Sequence, residues 1–159
     1  MKQTPKLSIG HVHLKVSDLE RSVKFYTEAI GLEVMQRMGD EAAFLSSDGY
    51  HHHIALNTWQ SRGSAPAPKH APGLFHTAFL FPDRAGLAQA LQRVLDYDVT
   101  IEGAADHGVS EAIYFSDPDG NGVEIYRDRD RAEWPRDEAG APQITSGRLN
   151  VNALLAEAC

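Results

Sequence analysis

Two segments of this chain share one pattern at an offset of 65 residues, which places His11 on His76 and Asp18 on Asp83. In both segments an alternating strand that carries the histidine leads into an amphipathic helix. A chain of 159 residues with 42% hydrophobic residues can bury one ordinary core. The repeat therefore predicts one domain built from two similar modules whose copies face each other.

The first strand of the repeat, residues 9–16, separates its side chains onto two faces. Val12 and Leu14 lie on the face expected to be buried, while His11 and His13 share the opposite face. Both histidines should therefore face the same cavity. His13 is expected either to support a ligand from behind or to contact the substrate.

The order of elements is the same in both copies. Ser17 and Glu20 form a capping box that begins the first helix, and Gly31 is placed to end it. The remaining predicted elements are strands at about 33–38, 42–47 and 52–57, then a strand at 75–81, a helix at 83–95, and strands near 98–102, 111–116 and 122–127.

Three regions follow from this pattern. A single domain spans residues 7–128, with module one at about 7–58 and module two at about 73–128. The Pro-, Gly- and Ser-rich connection between them is predicted to run over the surface. Residues 129–159 form a tail that ends in a short helix, and we predict no chemistry for it.

A second alignment suggests a metal site. With one gap, residues 43–56 align with 113–126, which sets Ala55 against Glu124. Glu124 interrupts an otherwise apolar strand, and a carboxylate buried there needs a cation or hydrogen-bond donors. Two imidazoles and one carboxylate form the facial triad that suits Fe(II), and Mn(II) or another divalent ion also fits. We therefore predict that His11, His76 and Glu124 bind a metal.

The composition of the chain argues against several classes of binding partner. The net charge is −7, and Lys and Arg are scattered, which argues against nucleic acid or an anionic membrane as the main partner. No apolar run approaches the roughly 20 residues of a membrane span, and the start MKQTPKLS lacks the apolar core of a secretory signal. The single cysteine, Cys159, has no internal partner. We therefore expect a cytoplasmic protein.

Three segments, GHVHLKVSDLERSVKFYTEAIGLEV, LFHTAFL and AIYFSDPDGNGVEIY, resemble the vicinal oxygen chelate superfamily of glyoxalases, bleomycin resistance proteins and extradiol dioxygenases. The resemblance covers residues 7–128. It implies an α+β fold in which two tandem βαβββ modules form one curved mixed sheet around a metal cleft. It also implies that the family's ligand positions are His11, His76 and Glu124 here.

The resemblance is closest to the catechol 2,3-dioxygenase type. FLSSDGYHHHIAL resembles the segment that carries an acid–base histidine, which implies this role for His52. DHGVSEAIYFSDPDGNGVEIY resembles the closing segment, which implies that His107 and Tyr114 line the substrate pocket. His51 or His53 could replace His52 if the register slips by one residue. The implied activity is extradiol cleavage of a catechol-like aromatic with Fe(II) and dioxygen.

Two other functions remain open at this point. One is a glyoxalase-like isomerase or a fosfomycin-type thiol transferase on the same metal site. Ala55 stands where glyoxalase I has a further Glu ligand, which argues against the isomerase. The other is a metal-free, bleomycin-type binding protein, which would not need the three ligands. Because one small domain leaves the cleft open, we also expect a homodimer.

Overall fold

A computed structural model describes residues 6–158, and Cys159 lies outside the described residues. Module one contains, in chain order, β1 (Val12–Lys15), α1 (Leu19–Lys24), which continues as a π-helical segment (Phe25–Ile30), β2 (Glu33–Met38), β3 (Ala42–Ser46) and β4 (Ile54–Asn57). Module two contains β5 (Thr77–Phe81), α2 (Arg84–Asp96), β6 (Gly103–Asp106), β7 (Ser110–Ser116) and β8 (Gly122–Asp128). Each module is a βαβββ unit, as predicted.

The strands form two mixed sheets, in the orders β1-β4-β3-β2 and β5-β8-β7-β6, and a two-residue tail strand, β9 (Gly147–Arg148), extends the second sheet beside β6. In each module the first strand pairs in parallel with the last, and the other pairs are antiparallel. The predicted α+β fold is confirmed. The sheet itself is divided where the sequence predicted one continuous sheet, because β1 and β5 are the outer edges of their own sheets and do not pair with each other.

The start of α1 differs from the predicted capping box. Asp18 is the N-cap, and its carboxylate accepts the N–H of Arg21 at 3.0 Å. Ser17 instead contacts Asp119 of module two, because its N–H and its hydroxyl both donate to that carboxylate. The predicted end of the helix is correct, since Gly31 adopts φ 96° in the left-handed region that glycine favours.

One predicted strand is wrong in position. The strand expected near 98–102 begins at Gly103 instead. Asp98, with φ 60°, lies in the left-handed region directly after α2, so the chain must turn before it can extend. The predicted strands at 33–38, 111–116 and 122–127 match β2, β7 and β8 within a residue.

The two modules share one hydrophobic core, to which the helices and the inner faces of both sheets contribute. Besides the contacts to Asp119, two further polar contacts join the modules beside this core. The Tyr26 hydroxyl donates to Asp117 at 2.9 Å in a buried position. The Arg93 guanidinium donates to the Ile30 carbonyl at 3.1 Å. The relative position of the modules is therefore set by helix packing and by these hydrogen bonds.

The tail packs on module two. It contains a short 3-10 turn (Arg131–Glu133), β9 (Gly147–Arg148), which pairs with β6, and α3 (Val151–Leu155). The short helix that the sequence predicted for the tail is α3. Leu154 is fully buried, and Arg84 on α2 forms an ion pair with Glu157. Among residues 6–158, no helix has the length and apolar character that a membrane span requires.

Candidate metal centre and substrate cleft

Two of the three predicted metal ligands meet on module two. Glu124 lies in β8 beside the parallel strand β5, and His76 immediately precedes β5. The His76 Nε2 lies 2.8 Å from the Glu124 Oε2. Glu124 is 8% exposed, so its charge has little access to water. Each of these two groups therefore provides a hydrogen-bond partner for the other, through the atoms that would bind a metal.

Tyr114 and His107 extend this cluster along the same sheet. Tyr114 lies opposite Glu124 in the antiparallel β7–β8 pair, and its hydroxyl is 3.4 Å from the Glu124 Oε1. The His107 Nε2 lies 2.7 Å from the same hydroxyl. Burial, followed by the negative charge of Glu124, raises the pKa of Tyr114 to about 12. The phenol therefore keeps its proton near neutral pH.

The third predicted ligand lies on module one, against another histidine. The rings of His11 and His52 are 4.3 Å apart, and His52 also meets Phe44 edge to face at 5.1 Å. The His53 Nδ1 is 3.3 Å from the Ser46 hydroxyl, and His53 also lines the cavity that His11 lines. Of the three consecutive histidines, His52 is therefore the one packed against His11.

The protonation of His52 follows from its surroundings. Burial, and then the nearby His11, hold the pKa of His52 below its ordinary value of 6.5. The imidazole is therefore neutral at pH 7 and can accept a proton. His51 is exposed, and its Nδ1 lies 2.8 Å from the His52 Nδ1.

His13 shares the face of His11, as the alternation predicted, and two residues that the sequence did not single out for the site hold it. The Asn57 amide Nδ2 lies 2.9 Å from the His13 Nε2, and the Trp59 ring meets His13 edge to face at 5.4 Å. Burial, and then His11, hold the pKa of His13 below its ordinary value. A polar residue at the buried end of β4 was the available signal for Asn57.

The tail also reaches the site, although the sequence predicted no chemistry for it. The His107 Nδ1 lies 2.8 Å from the Thr145 carbonyl oxygen. The Thr145 N–H in turn donates to the His107 carbonyl at 2.9 Å. No sequence pattern marks a backbone carbonyl, so this contact could be found only from the structure.

Two imidazoles and one carboxylate are donors that a divalent metal accepts. Of the three residues, only His76 and Glu124 are in contact with each other. Within residues 6–158, no group of three or more His, Cys, Asp or Glu is placed to hold a metal ion. His11 and His76 nevertheless line one cavity of about 740 Å³ between the starts of β1 and β5. The His76 Nδ1 is buried and has no hydrogen-bond partner among the described residues. The structure thus places His11 and His76 on one cavity and pairs Glu124 with His76.

Comparison with known proteins agrees with the fold. The model of the "Glyoxalase/Bleomycin resistance protein/Dioxygenase superfamily" matches residues 8–125. A catechol-2,3-dioxygenase from Bacillus subtilis is 41% identical over 94% of this chain, which spans 52% of that protein. A biphenyl-2,3-diol 1,2-dioxygenase from Rhodococcus globerulus is 31% identical over 80% of this chain and 66% of its own length.

The likeness extends to solved structures. A glyoxalase/bleomycin resistance protein/dioxygenase domain from Frankia superposes with a TM-score of 0.65 at 23% identity, over 79% of this chain and all of that chain. At this identity the match concerns the fold alone. The paired βαβββ modules and the match of the family model over most of the chain together show that this chain belongs to the glyoxalase/bleomycin resistance protein/dioxygenase superfamily.

Proposed function

We propose that this protein is an extradiol dioxygenase that opens the ring of a catechol-like substrate with dioxygen and a divalent metal, Fe(II). The observation that carries the proposal is the cluster of His76, Glu124, Tyr114 and His107 on one sheet, in a chain 41% identical to a catechol-2,3-dioxygenase. The chain spans about half of that relative, so its activity does not transfer automatically.

The proposed metal ligands are His76, Glu124 and His11. A cation between the His76 Nε2 and the Glu124 carboxylate would replace the 2.8 Å hydrogen bond that joins them now. His11 would complete the set across the cavity that it shares with His76. Bound there, the metal would supply Lewis-acid and redox chemistry for ring cleavage.

We propose that His52 is the acid–base residue. Its lowered pKa keeps it neutral at pH 7, and its contact with His11 places it beside a proposed ligand. A neutral imidazole in this position can take the proton of a catechol hydroxyl and return it later. Phe44 shields one side of the ring and limits competition from water.

His107 and Tyr114 are proposed to orient the substrate. Both are half-buried polar groups joined by a 2.7 Å hydrogen bond, next to the Glu124 carboxylate. Because this hydrogen bond fixes both side chains, they can hold a substrate hydroxyl in one orientation.

The test begins with anaerobic purification and measurement of bound metal. Fe(II) and catechol are then added, air is admitted, and oxygen uptake and the yellow ring-opened product are recorded. About one oxygen consumed per catechol supports the proposal. His52→Ala should keep the metal but lose most turnover, whereas His70→Ala, which removes an exposed histidine between the modules, should keep both.

Other outcomes would replace the proposal. Bound metal without oxygen uptake across a panel of catechols would contradict it. Thiol-dependent loss of fosfomycin or of a hemithioacetal would instead identify a transferase or an isomerase. Failure to retain any divalent metal would favour a binding protein. Cytoplasmic location and homodimer formation stay predictions, and light scattering at micromolar concentration tests the dimer.

A further inference from the structure

The tail forms a reciprocal pair of hydrogen bonds with the turn that carries His107. The Thr145 N–H donates to the His107 carbonyl at 2.9 Å, and the His107 Nδ1 lies 2.8 Å from the Thr145 carbonyl oxygen. One short stretch of tail backbone therefore holds both the main chain and the ring of His107.

This contact determines which ring nitrogen carries the proton. A carbonyl oxygen only accepts hydrogen bonds, so the His107 Nδ1 must be the donor. In a neutral imidazole the other nitrogen is then an acceptor. The Tyr114 hydroxyl lies 2.7 Å from that nitrogen, Nε2, so the phenol must donate its proton to His107.

The direction of this bond has a consequence for Glu124. Tyr114 has one hydroxyl proton, and a proton given to His107 is not available to the Glu124 Oε1 at 3.4 Å. That carboxylate oxygen therefore stays free of the phenol proton. The Tyr114 oxygen is left with lone pairs only, so toward the cleft it can accept a hydrogen bond but cannot donate one.

We propose that the Thr145 carbonyl is a positioning group of the active site, which fixes the His107 tautomer so that Tyr114 accepts a hydrogen bond from a substrate hydroxyl. The substrate class, a diol that donates a proton to Tyr114, rests on the proposed function. The hydrogen-bond direction within the protein does not depend on it.

The tail is packed closely enough to fulfil this role. Gly108 follows His107 with φ +73°, and a Cβ there would lie 2.7 Å from the Pro135 Cγ and 2.8 Å from the Thr145 Oγ1. The Gln143 N–H donates to the Pro135 carbonyl at 2.8 Å. The tail therefore closes over the turn with no room for a side chain.

The first experiment determines the tautomer directly. Long-range ¹H–¹⁵N NMR spectra of the metal-free protein at pH 8 show which ring nitrogen of His107 is protonated, with His107→Gln used to assign the signals. This pH is above the ordinary histidine pKa of about 6.5. We expect the proton on Nδ1. A proton on Nε2, or on both nitrogens, would overturn the proposal.

The second experiment weakens the tail contact. Thr145→Pro removes the N–H that donates to His107, and Ile144→Pro is the matched control, because the exposed Ile144 makes no hydrogen bond through its N–H within residues 6–158. The His107 signals should shift toward a mixture of tautomers in Thr145→Pro and stay unchanged in Ile144→Pro. Identical signals in Thr145→Pro and the wild type would contradict the role of the tail.

Activity separates this proposal from the proposed function. In a protein with ring-cleaving activity, Thr145→Pro should lower kcat on the order of 10-fold, with metal affinity unchanged, as expected for loss of a supporting hydrogen bond. An unchanged kcat beside a changed tautomer would overturn the positioning role. Absence of ring cleavage in the wild type, with the Nδ1–H tautomer present, would remove the dioxygenase and leave the hydrogen-bond direction intact.

Discussion

Replacing Gly122 with alanine should displace the segment that carries His76. Gly122 lies at the start of β8, where a Cβ would overlap the Phe75 carbonyl oxygen and lie 3.1 Å from the His76 Cβ. Ordinary carbon contacts are about 3.5–4.0 Å, so this backbone must move by on the order of 1 Å. Overpacking of this kind costs about 1–3 kcal/mol of unfolding free energy. The melting temperature of a chain this long should fall by about 2–12 °C.

The same displacement should separate His76 from Glu124, so Gly122→Ala should also bind Mn(II) about 10–100-fold more weakly than the wild type. Circular dichroism melts and metal titrations measure the two effects. Gly103→Ala is the matched control in the same sheet, because a Cβ there meets only Tyr114 at 3.7 Å, an ordinary contact. The control should melt at or slightly above the wild type. If Gly122→Ala melts at the same temperature as the wild type, the backbone tolerates a Cβ at this position and the prediction is wrong.

Three further outcomes test the brace between the modules, the charge network and the metal. Tyr26→Phe removes the donor to the buried Asp117 and should cost about 1.5–3 kcal/mol of unfolding free energy in urea titrations. Burial acts to raise the pKa of Asp106, but hydrogen bonds led by the one from Arg129 outweigh it and hold that pKa below its ordinary value of 3.8. A lowered carboxyl pKa stabilises the fold above the unfolded-state value, so Asp106→Asn should melt below the wild type at pH 7 and approach it as the pH falls below 3.8. Fe(II) at 100 times its Kd should stabilise the protein by about 2.7 kcal/mol, seen as a higher melting temperature that a chelator reverses and Glu124→Gln lacks.

The repeat predicted which positions of the two modules are equivalent. In β1 and β4 His13 lies opposite Ala55, and in β5 and β8 Ala78 lies opposite Glu124. The alignment of Ala55 with Glu124 from the sequence is therefore correct in the structure. This succeeded because alternation along a half-buried strand specifies which residues share a face, and the duplicated unit keeps that pattern.

The distance between His11 on module one and the His76–Glu124 pair on module two could not be predicted from the sequence. Alternation places His11 and His76 on inner faces, but their separation depends on how α2 packs against the π-helical segment and on hydrogen bonds such as that of Tyr26. Ser17 illustrates the same limit, because its best partner, Asp119, lies 102 residues away. Such long-range contacts override local capping rules.

The strands of the two modules pair in the same register, but the two modules contribute side chains of different charge to the proposed site. Where module two pairs Tyr114 with Glu124, module one pairs Phe44 with Ala55. Module one therefore contributes imidazoles and an apolar wall, and module two contributes the carboxylate. In the proposed site, two neutral imidazoles and one carboxylate leave a divalent cation with a net charge of about +1. That residual charge stabilises a substrate that has lost one proton, which is the state that a neutral His52 and a hydrogen-bond acceptor at Tyr114 would favour in a catechol.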